Sequence, residues 1–233
     1  VKTIAIVYMD DLFGLENFAA LNNALKKTSI QVVERKSYPL GVKDLAPVLR
    51  GIKDQNPDAF IGITYPPDTI LASRQAREVG LNPKFFYASV GTAFQLYKNV
   101  MAANTEGVIG MGSWSVKTSP EAKAYFDAHV KKFNKEPDRW ASGHAWAGLQ
   151  ILQQAVEKAG LDRKALREHI AKNEFQTILG GIRFQGSENA SIPGTVSQWQ
   201  GNDFEVVWPK DRATAQHSST HPNPPGNNKV SLT

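Results

Sequence analysis

Short apolar runs and amphipathic stretches take turns along the first part of this chain, and few folds accommodate that rhythm. "TIAIVY" (3–8) reads as a buried strand, and "GLENFAALNNALKK" after it sets Phe18, Leu21 and Leu25 on one helical stripe. "IQVVER" reads as a second strand. The helix "KDLAPVLRGIKDQ" follows, with Leu45, Leu49 and Ile52 on one side and a start near Pro47, since proline is poorly tolerated inside a helix. "DAFIGITY" is a third strand. Asp68 stands where it would cap the helix "TILASRQAREVG", which Gly80 closes, and "KFFYAS" is a fourth strand. Strands and helices alternating at this spacing predict a parallel α/β sheet.

The pattern then turns helical. After a strand-like "EGVIGMGSW", Ser119 and Pro120 read as a cap and a first-turn proline opening "EAKAYFDAHVKKFN". "ASGHAWAGLQILQQAVEKAG" sets Ala145, Leu149, Leu152 and Val156 on one face, and "DRKALREHIAKN" adds a shorter helix. "GIRF" and "GTVSQWQGNDFEVVWP" read as strands, with a turn at Gly201-Asn202. From 210 to 233 the chain is polar, rich in Pro and Asn and without periodicity, so a disordered tail is expected.

Several function classes fall away on chemistry. With no cysteine there is no disulfide, thiolate metal site or cysteine nucleophile. The formal charge of +5 does not imply nucleic acid, because Lys and Arg are spread along helices beside Glu and Asp rather than gathered on one face. No apolar run is long enough to cross a bilayer, and no signal-peptide pattern precedes Val1, so any leader is expected to be absent or removed. There is no G-x-S-x-G elbow, no phosphate-binding G-x-x-x-x-G-K-[ST] and no H-E-x-x-H. "GVIGMGSW" lacks the spacing of a dinucleotide fingerprint. His217 and His221 have metal-compatible spacing but lie in the tail, His144 reads as a helix residue packed or hydrogen-bonded in place with ligand contact the lesser reading, and "NAS" (189–191) fits a glycosylation sequon too short to carry weight. No cofactor or metal site is expected.

Ligands of an open parallel sheet bind beyond the carboxyl ends of its strands. Three loops leave such ends: "MDDLFG", "TYPPD" and "ASVGTAF". They gather Phe13, Tyr65 and Ser89 on one rim, with Tyr87 and Thr92 close by. Taken singly, Phe13 and Tyr65 read equally well as packing residues; jointly they read as a ligand site. Asp10 and Asp11 read as helix caps or as an acid/base pair, and Asp11 also counts among the rim residues.

The succession "IAIVYMDDLFG…FAALNNALK", "VVERKSYPLGVKDLAPVLRGIKDQNPDAFIGITYPPD", "SRQAREVGLNPKFFYASVGT" and "GGIRFQGSENA…TVSQWQGNDFEVVWP" resembles type I periplasmic solute-binding proteins of the leucine/isoleucine/valine-binding branch, over residues 1 to about 209. The resemblance implies two α/β lobes joined by three hinge strands that close on a small ligand. Residues 1–112 would form the main part of the second lobe, 113–190 the C-terminal part of the first, and 191–209 the return strands of the second. The family's chain begins with a long first-lobe segment that has no counterpart here. By the resemblance, that segment grips a ligand carboxylate, and without it the apolar faces of 113–190 would need a partner, another copy or a rearranged fold.

The same resemblance puts the family's second-lobe aromatic on Phe13 and its tyrosine on Tyr65. The acidic residue facing a ligand ammonium falls near Ser89, where no carboxylate stands; Trp114 and Trp140 flank the cleft-facing hinge and first-lobe loops, and each reads equally as a core or surface packing residue. That favours a neutral or carboxylate compound, aromatic acids included, over an α-amino acid. The implied role is a non-catalytic, extracytoplasmic binding subunit, periplasmic or extracellular, that delivers a small molecule to an ABC transporter permease. A ligand-sensing domain of the same fold is the alternative, and an α/β enzyme is a third reading.

Overall fold

The computed structural model describes residues 1–192 and 194–218, which divide into two compact units. One comprises Val1–Met111, Gln198–Asp203 and residues 217–218; the other comprises Gly112–Ser197 and Phe204–Gln216. Among the described residues no helix is long and apolar enough to cross a membrane.

Strand β1 (Thr3–Met9) buries Ile4, Ala5, Ile6 and Val7 in succession, as a strand covered on both faces must. It pairs in parallel with β2 (Gln31–Tyr38) and β3 (Ala59–Ile63); β3 pairs with β4 (Phe85–Tyr87), and β4 with β5 (Ile109–Gly112), all in parallel. Helices α1 (Leu12–Leu25), α2 (Ala46–Asp54), α3 (Pro66–Val79) and α4 (Gln95–Met101) connect them. The register sets Met9 against Tyr38 and Tyr8 against Ile63, so the carboxyl ends of β1, β2 and β3 lie along one edge.

The stripe Phe18, Leu21 and Leu25 packs, as expected, on Ile4, Ile6, Ala59 and Ile63. Leu45, Leu49 and Ile52 are also fully buried. Each such side chain contributes about 1.5–3 kcal/mol by leaving water. Phe60 stacks on its ladder partner Phe86 with ring centroids 4.8 Å apart.

In the second unit, Ser119 caps α5 (Pro120–Phe133) by accepting from Ala122 N at 3.0 Å, with Pro120 in the first turn as expected. Helices α6 (Ala141–Ala159) and α7 (Arg163–Lys172) precede three antiparallel strands, β6 (Glu174–Thr177), β7 (Gly180–Gln185) and β8 (Glu188–Asn189). Its core gathers Trp114, Ala147, Ile151, Ala155, Phe175 and Ile182.

The buried face of α6 differs from the expected stripe. Gly143, Ala147, Ile151 and Ala155 face inward, while Trp146, Leu149 and Leu152 stay 43%, 59% and 49% exposed. The cause is close packing: a Cβ at Gly143 would stand 2.5 Å from Trp114 Cδ1, so only a small-residue face lets the helix reach the indole.

Strands β9 (Thr195–Gln200) and β10 (Asp203–Trp208) complete a seven-stranded sheet of order β10-β9-β5-β4-β3-β1-β2, and the divisions between the units fall within β5, β9 and β10. Residues 210–218, expected as part of a structureless tail, are instead tied down. A 3-10 turn spans Lys210–Arg212, Thr214 Oγ1 donates to Glu205 Oε2 at 2.6 Å, and Ser218 N donates to Gln198 Oε1 at 2.8 Å. The rest of the expected tail, His221 included, lies outside the described residues.

Candidate functional site

The loop after β1 is governed by two residues. Asp11 has extended backbone and caps α1, its Oδ1 accepting from Gly14 N at 2.8 Å. Gly14 is obligatory: a Cβ there would stand 1.8 Å from the Met9 carbonyl oxygen, so only glycine lets strand end and helix start touch. Phe13 is thereby held between them and packs on the Ile4–Ile63 cluster.

The loop after β3 is governed by prolines. A residue before proline is driven out of the helical region, and Tyr65 accordingly has φ −86° and ψ 168° while Pro66 opens α3. Asp68 sits in the first turn of that helix rather than ahead of it, and receives a hydrogen bond from the Tyr65 N–H. Thr69 N and Oγ1 donate to the Tyr65 carbonyl at 2.8 and 2.9 Å, and Thr69 Oγ1 meets Thr64 Oγ1 at 2.6 Å. Tyr65 is therefore a fixed side chain on a fixed backbone.

The two loops meet. The rings of Phe13 and Tyr65 stack with centroids 4.9 Å apart, and Tyr65 OH donates to Asp11 Oδ2 at 3.0 Å. Burial, then the hydrogen bond to Asp11 and its charge, push the Tyr65 phenol up. Burial also pushes the Asp68 carboxyl up; the Tyr65 N–H and Lys43 oppose that, and Asp11 adds to it.

Tyr38 belongs to the same group and was not anticipated. It ends β2, its hydroxyl is buried without a hydrogen-bond partner, and burial followed by the charges of Asp68 and Asp11 holds its phenol far above the usual range. Its signal was legible in "SYPL", since the end of the second strand shares the rim by topology.

Ser89 is placed differently from Phe13 and Tyr65. It is buried at φ 44°, a conformation that costs about 1–3 kcal/mol outside glycine. Its carbonyl accepts from Thr92 Oγ1 at 2.8 Å and Met111 N at 3.2 Å, and its side chain bonds the Tyr87 hydroxyl, which burial pushes up to about 12. Ser89 thus shapes the loop after β4.

The two tryptophans lie in the second unit. Trp114 is 0% exposed, donates Nε1–H to the Asp138 carbonyl at 3.1 Å, and lies under the Arg139 guanidinium at 5.2 Å. Trp140 is half-buried, and its carbonyl accepts from Ser113 Oγ at 2.9 Å. His144 Nδ1 is hydrogen-bonded to that carbonyl at 2.9 Å, as the sequence implied.

A separate cavity of about 650 Å³ lies within the second unit, lined by Lys117, Ser119, Gln150, Gln176, Leu179 and Arg212 among others. Its cations are engaged: Lys117 pairs with Glu205, and Arg212 donates to the Leu179 carbonyl at 2.8 Å. No group of three or more His, Cys, Asp or Glu side chains arranged to hold a metal ion occurs among the described residues.

Ligands of open parallel sheets bind beyond the carboxyl ends of the strands, and at those ends the structure joins Phe13, Tyr65 and Asp11. Comparison with known proteins makes the class specific. The family model described as "Periplasmic binding protein" matches residues 1–203. The chain is 24% identical over 230 residues to Leu/Ile/Val-binding protein homolog 7 of Brucella suis, covering 91% of this chain and 56% of that protein. A leucine binding protein from Thermotoga maritima superposes with a TM-score of 0.77 at 22% identity, over 90% of this chain and 61% of that one. A solute binding protein from R. palustris in complex with benzoate gives 0.79 at 14% identity, over 94% and 60%. The chain belongs to the periplasmic binding protein family, and it spans about half the length of the curated relatives it matches.

Proposed function

We propose that the chain is part of an extracytoplasmic solute-binding subunit of an ABC importer, which captures a small organic ligand and presents it to the membrane permease without chemical change. The observation that carries this reading is the joining of Phe13, Tyr65 and Asp11 at the carboxyl ends of β1 and β3, where ligands of parallel sheets bind. In this reading the two units are lobes, and the chain crosses between them in β5, β9 and β10, where hinge motion would be absorbed.

Phe13 and Tyr65 supply aromatic wall, Asp11 a polar fix, and Ser89 the shape of the neighbouring loop. Trp140 is retained as a candidate contact; Trp114, fully buried, supports its own core instead. The ligand is amino-acid-like or a carboxylate, in keeping with a leucine binding protein and a benzoate complex among the similar structures. The setting is the periplasm.

A thermal-shift panel of amino acids, aromatic acids and amides tests the reading. A ligand at one hundred times its Kd stabilises by about 2.7 kcal/mol, and Tyr65→Ala should weaken binding while leaving the unliganded melting temperature nearly unchanged. A panel in which no compound shifts the transition would sink the proposal for this chain.

A further inference from the structure

The chain passes between the two units once more after β10, at Gln216–His217. Residues 213–218 form neither helix nor strand, so this crossing is held by a few specific bonds at either end. On the second-unit side the anchor is Thr214. Its N–H donates to the Val206 carbonyl at 2.8 Å, and its hydroxyl donates to Glu205 Oε2 at 2.6 Å while accepting from Val206 N at 3.0 Å. Ala215 N adds a bond to the same carbonyl at 3.3 Å. On the first-unit side the anchor is Ser218, which donates its N–H to Gln198 Oε1 at 2.8 Å and accepts from Gln198 Nε2 at 2.9 Å. His217 stacks on Phe85 beside it, with ring centroids 5.0 Å apart. Gln198 and Glu205 are buried, so the polar groups that receive the segment are costly to leave unpaired.

Where the anchors sit matters as much as their number. Gln198 is the first residue on the first-unit side of the division in β9, and Val206 lies just past the division in β10 on the second-unit side. The segment therefore links the two strands next to the points where hinge motion would be absorbed. It is also short. From Ala215 to Ser218 there are three residue steps, which reach about 10 Å at full extension. Motion that draws the anchors further apart than that must break one of them.

We propose that residues 214–218 are a strap that limits how far the two units open. The proposal rests on the two-lobe, ligand-binding reading above and adds a control element to it. By removing widely opened conformers, the strap raises the fraction of molecules competent to close on a ligand, and apparent affinity follows that fraction.

Pulsed electron-spin distance measurement tests the strap without a ligand. The chain has no cysteine, so Lys27→Cys in the first unit and Lys131→Cys in the second, both at exposed positions, take one label each. Four glycine and serine residues inserted between Gln216 and His217 lengthen the link by up to about 13 Å and keep every anchor bond. The distance distribution should broaden towards longer separations. Thr214→Pro removes the N–H and hydroxyl of one anchor, and Ser218→Pro removes an N–H of the other; each should broaden the distribution likewise. Ala213 has φ −65° and ψ 133°, a conformation that a following proline tolerates, and both changes lie beyond the last strand, so circular dichroism should be unchanged. Combining any two of the three changes should add nothing, because a strap released at one end is already slack. A distribution that the insertion leaves unchanged overturns the strap. So do effects that add, the mark of separate local disturbances. Neither result touches the ligand-binding reading, which the thermal-shift panel decides, and a silent panel beside a broadened, non-additive distribution supports the strap while removing the ligand.

Discussion

The two units solve the burial problem in opposite ways. The first builds a parallel sheet inward from its most apolar strand, and the stripes of α1 and α2 find their cover there. The second hangs three helices on a small antiparallel sheet. Its longest helix, α6, turns Gly143, Ala147, Ile151 and Ala155 inward and leaves Trp146, Leu149 and Leu152 exposed. Amphipathicity thus indicates the buried face only where partner surface is available. In α6, contact with Trp114 decided which of two apolar faces went in.

Core truncation should test that contrast hardest. Phe60→Ala in the first unit and Trp114→Ala in the second should each cost about 3–5 kcal/mol. Hydrogen exchange read by mass spectrometry should show lost protection confined to the unit carrying the change. A loss shared equally by both would mean that they unfold as one, and the contrast would be one of architecture only.

Alkaline pH should discriminate next. Tyr38, Tyr87 and Tyr97 all lie in the first unit, and burial raises each phenol above its ordinary value of 10.0, to about 12 for Tyr87. Stability from groups with raised folded-state values is complete below the unfolded value and is lost as pH rises through the folded one. The first unit should therefore loosen first above about pH 10, followed by phenolate absorbance together with hydrogen exchange.

Asp58 gives a smaller effect at the other end of the scale. Its carboxylate, salt-bridged to Lys84 and accepting from Lys2 N and Thr3 N, is held well below the usual range, first by the Lys84 hydrogen bond. A depressed value contributes stability above the unfolded value that is lost as pH falls. Asp58→Asn should thus lower the urea midpoint at neutral pH, and the gap from the parent should close as pH drops below about 3.9.

The smallest change in stability should come from the exposed face of α6. Leu149→Ser should alter it by no more than about 0.5 kcal/mol, yet reduce any concentration-dependent association seen by light scattering, because apolar patches of this kind drive contact between molecules. A chain that stays monomeric at high concentration would remove that expectation.

Much of the first unit was legible in sequence because the signals were local: unbroken apolar runs, helical stripes, Gly80 at a helix end. Helix α4 escaped because "QLYKNVM" is short and its buried residues, Tyr97 and Met101, span one turn. The ordering of 210–218 depends on Glu205 and Gln198, partners that composition does not reveal. At the site, topology predicted that Phe13 and Tyr65 would share a rim, since parallel strands end together. Their stacking and the Asp11 hydrogen bond depend on Gly14 and on the Pro66 constraint acting at a distance of more than fifty positions along the chain. The place of Tyr38 on the rim was legible in "SYPL", but its unmet hydroxyl was not, because only packing creates it.

Gly14 carries a last consequence, for how ligand preference can change by descent or in the laboratory. Because no atom can be added there without pushing on the backbone of β1, the position works as a fixed pivot from which Phe13 and Asp11 are aimed. Randomising Phe13 explores new ligands on an unchanged frame. Randomising Gly14 moves the frame, so variants recovered there should carry compensating changes around Met9 rather than new chemistry at the rim.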